Sequence, residues 1–520
     1  MLNRSIFLFL FVVVGSLSVF AQEEPVTYTI GEKFSDKYRY SNMLAIADDG
    51  NDGTVVVRAY YTGIILRPKG YFIEHYNKDL ELVSEYNYKL KDANFIDAYV
   101  RDGQVYLLFL EYSYKSYHYE VHRSPFSQFQ FTKETILSIE SDPVEQPLDR
   151  NFYNRNFSSG FTTSVLFNDN KSAFAITTHY KKKKVDQHTI HVFNSNLTKL
   201  MEHDFSDEVE EKNYAFENIL FSKDLQNVYL VGKAYFKKKR FNATERKFQY
   251  EMVRISKDSR SVQSFYSPNK FPEALKPIFK GDDLLCIGFY ADRKDNRFNG
   301  ISFFKLNSIT LEMETSKFNP FSEQFMLDKF GREDDKSIKN LVFKGMDVTK
   351  EGNILFNAEE YFTSTSVQSN SSGGRVMVTR YHHNDIISAK LSSKGDLVWA
   401  RNINKTEVTQ GDGAYASYSA YTKGDTTYFF ISTSAENPQQ MSDDRIMFKQ
   451  GLSRNRNVFL IRLDERGHMT YNKVIDDTEV RLPLMVSVPY IDYLNDELVF
   501  YAKRGTKKQL VQVAVKQHSN

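Results

Sequence analysis

The chain has 520 residues, with 68 Lys and Arg against 66 Asp and Glu, a net charge of +2. So small an imbalance supplies no global field of the kind that marks a nucleic-acid binder. Its one cysteine excludes an internal disulfide, and aromatic residues at 15% suit pleated strands better than helices.

Residues 1–21 read as a secretion signal. Arg4 gives the positive start, residues 6–14 the apolar stretch, and Val19-Phe20-Ala21 the cleavage positions before Gln22. The sequence therefore predicts an exported chain, periplasmic or extracellular, with residues 22–520 as one mature domain. No later run approaches the roughly 18 apolar residues of a spanning helix, so no transmembrane segment is expected after cleavage.

A strand at residues 26–34 stands alone at the start of the mature chain. Two hairpins then recur in alternation. The first kind turns on Asp, Gly or Asn, as in Tyr99-Val100-Arg101-Asp102-Gly103-Gln104-Val105-Tyr106-Leu107, and again at Gly281-Asp282, Gly352-Asn353, Gly424-Asp425 and Asn495-Asp496. The second is an apolar strand, a polar turn and another strand. Examples are Phe72-Ile73-Glu74-His75-Tyr76 before Asn77-Lys78-Asp79, and Ile190-His191-Val192-Phe193 before Asn194-Ser195-Asn196. Others are Met252-Val253-Arg254-Ile255 before Ser256-Lys257-Asp258, and Phe459-Leu460-Ile461-Arg462-Leu463 before Asp464-Glu465-Arg466-Gly467. Asn, Asp, Ser and Gly tolerate the turn conformations that hairpins need.

These units begin near Met43, Phe95, Thr163, Phe216, Leu275, Leu341, Tyr415 and Leu484, which makes eight, or seven if one is an irregular insertion. Cys286 lies in Leu284-Leu285-Cys286-Ile287, apolar on both faces, and reads as a packed strand residue rather than a reactive thiol. Residues 321–336 read as a helix, and 364–374 and 436–453 as flexible loops. The last unit supplies three strand-like runs, one short of the pattern.

A chain whose first strand completes its last repeat closes a ring. Over residues 26–515 this pattern resembles the β-propellers, as an architecture rather than one family. Lys394-Gly395-Asp396-Leu397-Val398-Trp399 is similar to the glycine turn and apolar strand of secreted bacterial propellers. Trp399 is the only tryptophan, so the tryptophan–aspartate repeat signature is absent, and the aspartate box of sialidases, Ser-x-Asp-x-Gly-x-x-Trp, is not matched. The resemblance implies an all-β propeller closed by its N-terminal strand, and implies no activity.

In such blades the second-to-third-strand hairpins and the links between units emerge on one face. Several of these segments are basic and aromatic together: His179-Tyr180-Lys181-Lys182-Lys183-Lys184, Tyr235-Phe236-Lys237-Lys238-Lys239-Arg240, and Tyr290 with Arg293, Lys294 and Arg297. Cations beside rings suit an anionic polymer such as an acidic polysaccharide. The plainer reading is that lysines keep projecting hairpins solvated and unpaired, and acidic links at residues 207–211 and 333–335 offset the field.

His382-His383 with Asp385 offers metal-ligand types, but adjacent strand residues face opposite ways, so surface polar residues are expected there, and no metal or cofactor. Neither a Gly-x-Ser-x-Gly elbow nor a His-Glu-x-x-His helix occurs. The expected function is an exported binding or scaffold module for an acidic polysaccharide or an envelope protein. The alternative is a carbohydrate-active hydrolase or lyase with carboxylates at the channel mouth. Inward-facing acids with raised pKa values would favour the enzyme.

Overall fold

Alternating apolar and polar positions, broken by Asp, Asn and Gly turns, build eight sheets in chain order among the described residues of the computed structural model, antiparallel but for one short parallel pair in the sixth. The structure describes residues 26–516 apart from 63–66, 91–93, 114, 144–160, 207–211, 237–245, 293–296, 333–337, 370–373, 411–412, 435, 442–444 and 451–455. Sheets 1 to 8 span residues 40–88, 94–140, 161–204, 212–264, 271–320, 341–403, 419–475 and 490–515. Their first strands contain or closely follow the predicted unit starts; Met43, for example, lies in Tyr40–Asp48 and Phe95 in Asn94–Arg101.

Each sheet shares a buried apolar cluster with the next. Val57, Tyr71 and Ile73 of sheet 1 meet Leu107 and Phe109 of sheet 2, and six further clusters continue round to sheet 8. Tyr501 and Leu510 of sheet 8 then pack on Val56 and Tyr76 of sheet 1. The ring closes, and the fold is a β-propeller. Second strands are covered on both faces, which is why they are nearly continuous apolar runs. Cys286 sits in one of them, fully buried, and burial pushes its thiol well above the usual range, so it is inert packing.

Closure follows the missing-strand argument. Val26–Ile30 pairs antiparallel with Lys507–Val515, Val26 opposite Val515 and Ile30 opposite Val511, and becomes the outermost strand of sheet 8. Phe34–Ser35 extends the pairing to Lys508 and Lys507.

Behind this strand lies a buried ionic cluster. The Asp36 carboxylate accepts from Arg58 Nη1 at 2.6 Å and Lys503 Nζ at 2.9 Å. Glu74 accepts from Arg58, from Lys508 Nζ at 2.7 Å, and from the hydroxyls of Tyr76 and Tyr501 at 2.9 and 3.2 Å. Burial pushes both carboxyls up, but Arg58, with Lys503 at Asp36 and Lys508 at Glu74, more than offsets it and holds both below their ordinary values.

Three segments differ from the sequence reading. The helix is shorter, Glu323–Phe330, capped by Ser322 and stopped by Gly331 at φ 71°; its predicted tail falls partly outside the described residues. Residues 364–369 are not loop, because Ile354–Ser369 and Arg375–Leu391 run on as one long hairpin. The Ser, Thr and Val of this stretch have strand propensity that outweighs their polarity. Within 436–453, Ile446–Lys449 pairs parallel with Lys405–Thr409 and widens sheet 6. No helix among the described residues is long and apolar enough to cross a membrane.

Candidate functional site

First strands of neighbouring sheets pack on one another: Tyr40–Asp48 lies against Asn94–Arg101 on one side and Tyr490–Asp492 on the other. They are therefore the strands nearest the channel. Their turns into the second strands ring one mouth, the turn face. The second-to-third-strand hairpins and the links occupy the opposite, link face.

A cleft of about 850 Å³ opens on the turn face between sheets 8, 1, 2 and 3. Its rim is built by turn chemistry. The Asp49 carboxylate accepts from the backbone N–H groups of Asn51 and Gly53 at 2.7 and 2.8 Å and lies 2.7 Å from His75 Nε2. Gly53 is required there, because a Cβ would lie 2.3 Å from Asp49 Oδ2. The far wall is tied between sheets 2 and 3. Tyr99 donates to the Ser195 carbonyl at 3.0 Å, Arg101 binds the Ser195 hydroxyl, and Lys171 donates to Asp97 at 3.0 Å and to the Ala98 carbonyl at 2.8 Å.

The near wall is different. Asp48, Asp52, Asp492 and Glu497 gather at the junction of sheets 8 and 1, and among the described residues no cation forms an ion pair with them. Burial, then the charges of Asp49, Asp492 and Asp52, push the Asp48 carboxyl above its ordinary value against one backbone N–H, from Gly50. Burial and the charges of Asp492 and Asp52 raise Glu497 although Gln512 Nε2 donates to it at 2.5 Å. The Tyr490 phenol is raised by burial and by Asp48, Asp492, Asp52 and Asp49. Asp347 is raised too, by burial and to a lesser degree by Asp169; Thr422 and Lys276 oppose the shift, and Lys276 Nζ lies 3.9 Å from Asp169. The near wall is acidic and edged by the rings of Tyr490 and Tyr493, while Arg101 and Lys171 stand on the far wall.

The basic residues predicted from sequence lie on the link face where they are described. Lys181 and Lys182 end the strand Ala173–Lys182, and Lys183 and Lys184 form its turn at φ 52° and 65°. Both turn N–H groups donate to Asp142, at 2.9 and 2.6 Å, and all four side chains are exposed. Tyr235, on the neighbouring sheet, packs its ring 5.4 Å from Phe248. Arg297 is half-buried beside the strand Phe298–Leu306. Lys237, Lys238, Lys239, Arg240 and Arg293 lie outside the described residues.

The expectation of surface polar residues at His382, His383 and Asp385 fails at two of the three. His382 does face outward from the sheet interior, stacked on Phe362 at 4.3 Å. His383 and Asp385 are only 8% and 9% exposed, covered by the extended hairpin and the strand Lys405–Thr409. His383 Nδ1 lies 3.2 Å from Glu359, Lys405 Nζ reaches Glu407 at 2.9 Å and Glu359 at 3.4 Å, and Asp385 accepts from Lys329 of the helix at 2.6 Å. Burial opposes ionisation of Glu359, yet His383, Lys405 and Lys344 pull it down to about 2. This is a matched ionic core of Glu359, Asp385 and Glu407 with Lys329, Lys344 and Lys405.

The turn-face well was missed in the sequence. Asp48-Asp49-Gly50-Asn51-Asp52-Gly53 is visible there as a turn, but Asp492 reaches it only through ring closure.

No family model matches this chain, and no curated protein matches it. Solved structures follow its course at low identity. The β-propeller domain of the Trilobed protease from Pyrococcus furiosus is 8% identical, with a TM-score of 0.35, covering 85% of this chain and 97% of that one. A polysaccharide lyase, an ulvan lyase bound to -[GlcA(1-4)Rha3S]-, is 9% identical with a TM-score of 0.38, covering 93% and 95%. Drosophila Plexin A in complex with Semaphorin 1b is 10% identical with a TM-score of 0.33, covering 93% and 88%. No role passes from these proteins to this chain.

Proposed function

We propose that this is an exported binding module that holds a cationic segment of an envelope protein partner in the turn-face mouth of its channel. The observation that carries the reading is the group Asp48, Asp52, Asp492 and Glu497, crowded beside a cleft of about 850 Å³ with no described cation among them. Like charges in a recess raise local cation concentration, and the tyrosine rings at the rim give ammonium or guanidinium groups a second contact. The exposed lysine turn on the link face supports an acidic polysaccharide as a further partner there.

A second reading has its own support. Glycoside hydrolysis uses a pair of carboxyls, one of them with a raised pKa, and Asp48 is raised by burial and by the neighbouring charges of Asp49, Asp492 and Asp52.

The test is titration of residues 22–520 with an oligolysine peptide and with acidic and neutral polysaccharides, at low and moderate salt. We expect salt-sensitive oligolysine binding, weakened roughly tenfold or more by Asp48→Asn with Asp492→Asn, and unaffected when Lys181, Lys182, Lys183 and Lys184 become Ser. Acidic polysaccharide bound through those lysines, with no oligolysine binding, would move the site to the link face. Polysaccharide cleavage that disappears in Asp48→Asn would replace the binding reading with the enzyme.

A further inference from the structure

Sheet 2 turns one face toward sheet 1, and that face changes character along its length. The register of Gln104–Ser113 on Ser116–Pro125 sets Leu107 opposite His122, Phe109 opposite Glu120 and Glu111 opposite His118. Alternation puts all six on one face. One end is apolar core, and the other, toward the link face, is polar.

At the boundary His122 is fully buried, its ring 4.6 Å from that of Phe109. Its Nδ1 lies 2.9 Å from the Tyr88 hydroxyl of sheet 1 and its Nε2 lies 3.2 Å from Glu120 Oε2. The ligand atoms of Glu111, Glu120 and His122 are all within 4.8 Å of one another.

We infer that Glu111, Glu120 and His122 form a binding site for a divalent first-row metal ion such as Zn²⁺. The donor set argues the ion. An imidazole nitrogen with two carboxylates suits Zn²⁺, whereas Ca²⁺ and Mg²⁺ prefer all-oxygen sites and a soft ion would want thiolate. Three protein ligands leave a coordination position open, and the Glu120 side chain is 17% exposed, enough to admit water.

Independent features of the cluster fit this assignment. Glu111 and Glu120 bring two carboxyl groups to one point beside the imidazole, and Lys133 stands opposite His122 in the register of the next strand. The Tyr88 hydroxyl lies 2.9 Å from His122 Nδ1. It can accept from Nδ1–H, the arrangement that leaves Nε2 facing the carboxylates. His118 borders the site without joining it, its nitrogens 2.9 and 3.0 Å from the hydroxyls of Ser116 and Ser138.

The test is titration of the chelator-stripped protein with Zn²⁺, Mn²⁺ and Ca²⁺, each alone, read by calorimetry and by the shift in Tm. We expect one Zn²⁺ per chain at this site and a rise in Tm on loading. Glu111→Gln should raise the metal-free Tm, because it removes a like-charge contact, while abolishing the Zn²⁺-dependent rise. Tyr88→Phe should weaken Zn²⁺ by about tenfold, the usual effect of losing an outer-shell partner. A Glu111→Gln, Glu120→Gln double variant that binds Zn²⁺ as the parent does would overturn the site, and Ca²⁺ binding tighter than Zn²⁺ would overturn the ion assigned to it.

Discussion

Two groups of carboxylates lie on sheets 8 and 1, at the same junction of the ring, and meet opposite fates. At the closing seam, Asp36, Glu74 and Glu85 face Arg58, Lys503 and Lys508, one cation for each acid. At the turn-face mouth, Asp48, Asp52, Asp492 and Glu497 crowd together with no described cation. The seam carboxyls at Asp36 and Glu74 are lowered, and the mouth carboxyls at Asp48 and Glu497 are raised. Matched buried charge holds a structure in one geometry. Unmatched charge in a recess costs stability and is available to a ligand.

The largest effect that would break this contrast is removal of residues 22–36, which deletes the outer strand of sheet 8 together with Asp36. We expect loss of the cooperative calorimetric transition; an unchanged melt would mean that the strand does not close the ring. Next is Glu74→Gln, which leaves Arg58 and Lys508 under-compensated in a fully buried site. Breaking one partner of such a cluster costs about 3–5 kcal/mol, measurable by denaturant unfolding.

The pH dependence sharpens the comparison. Glu74 and Asp36 have folded-state pKa values below their unfolded ones, so their stabilisation is complete above the ordinary carboxylate range and is lost as pH falls through the depressed values. Asp48 and Glu497 have the opposite sign. They destabilise at neutral pH, and the penalty is relieved as pH falls through their raised values toward the ordinary ones. Urea unfolding across pH should show stability gained on mild acidification and then lost steeply. Asp48→Asn should flatten the gain and leave the steep loss in place.

Much of the fold was legible in the sequence, because alternation and turn chemistry are local. Asp102-Gly103 and Asn194-Ser195-Asn196 mark their own turns, and three runs after Leu484 announced the need for a fourth strand. What depends on closure was not legible. Lys508 and Glu74 are 434 positions apart, and neither residue type suggests a fully buried ion pair. The same holds for the site: the Asp48 turn is visible alone, but its crowding by Asp492 exists only once the ring is shut. His383 misled for a related reason, since the short strand Lys405–Thr409 that pairs beside it and buries its surroundings leaves no periodic signal. Lys183 and Lys184 lie in an exposed turn, and a turn of this kind is a local property of the sequence.

The most direct test of the contrast is to measure oligolysine affinity and Tm together in the Asp48→Asn, Asp492→Asn variant at neutral pH and low salt. The account predicts that affinity falls roughly tenfold or more while Tm holds or rises. A fall in Tm with affinity intact would mean that these carboxylates belong to the structure, as those of the seam do, and that the mouth is not the binding site.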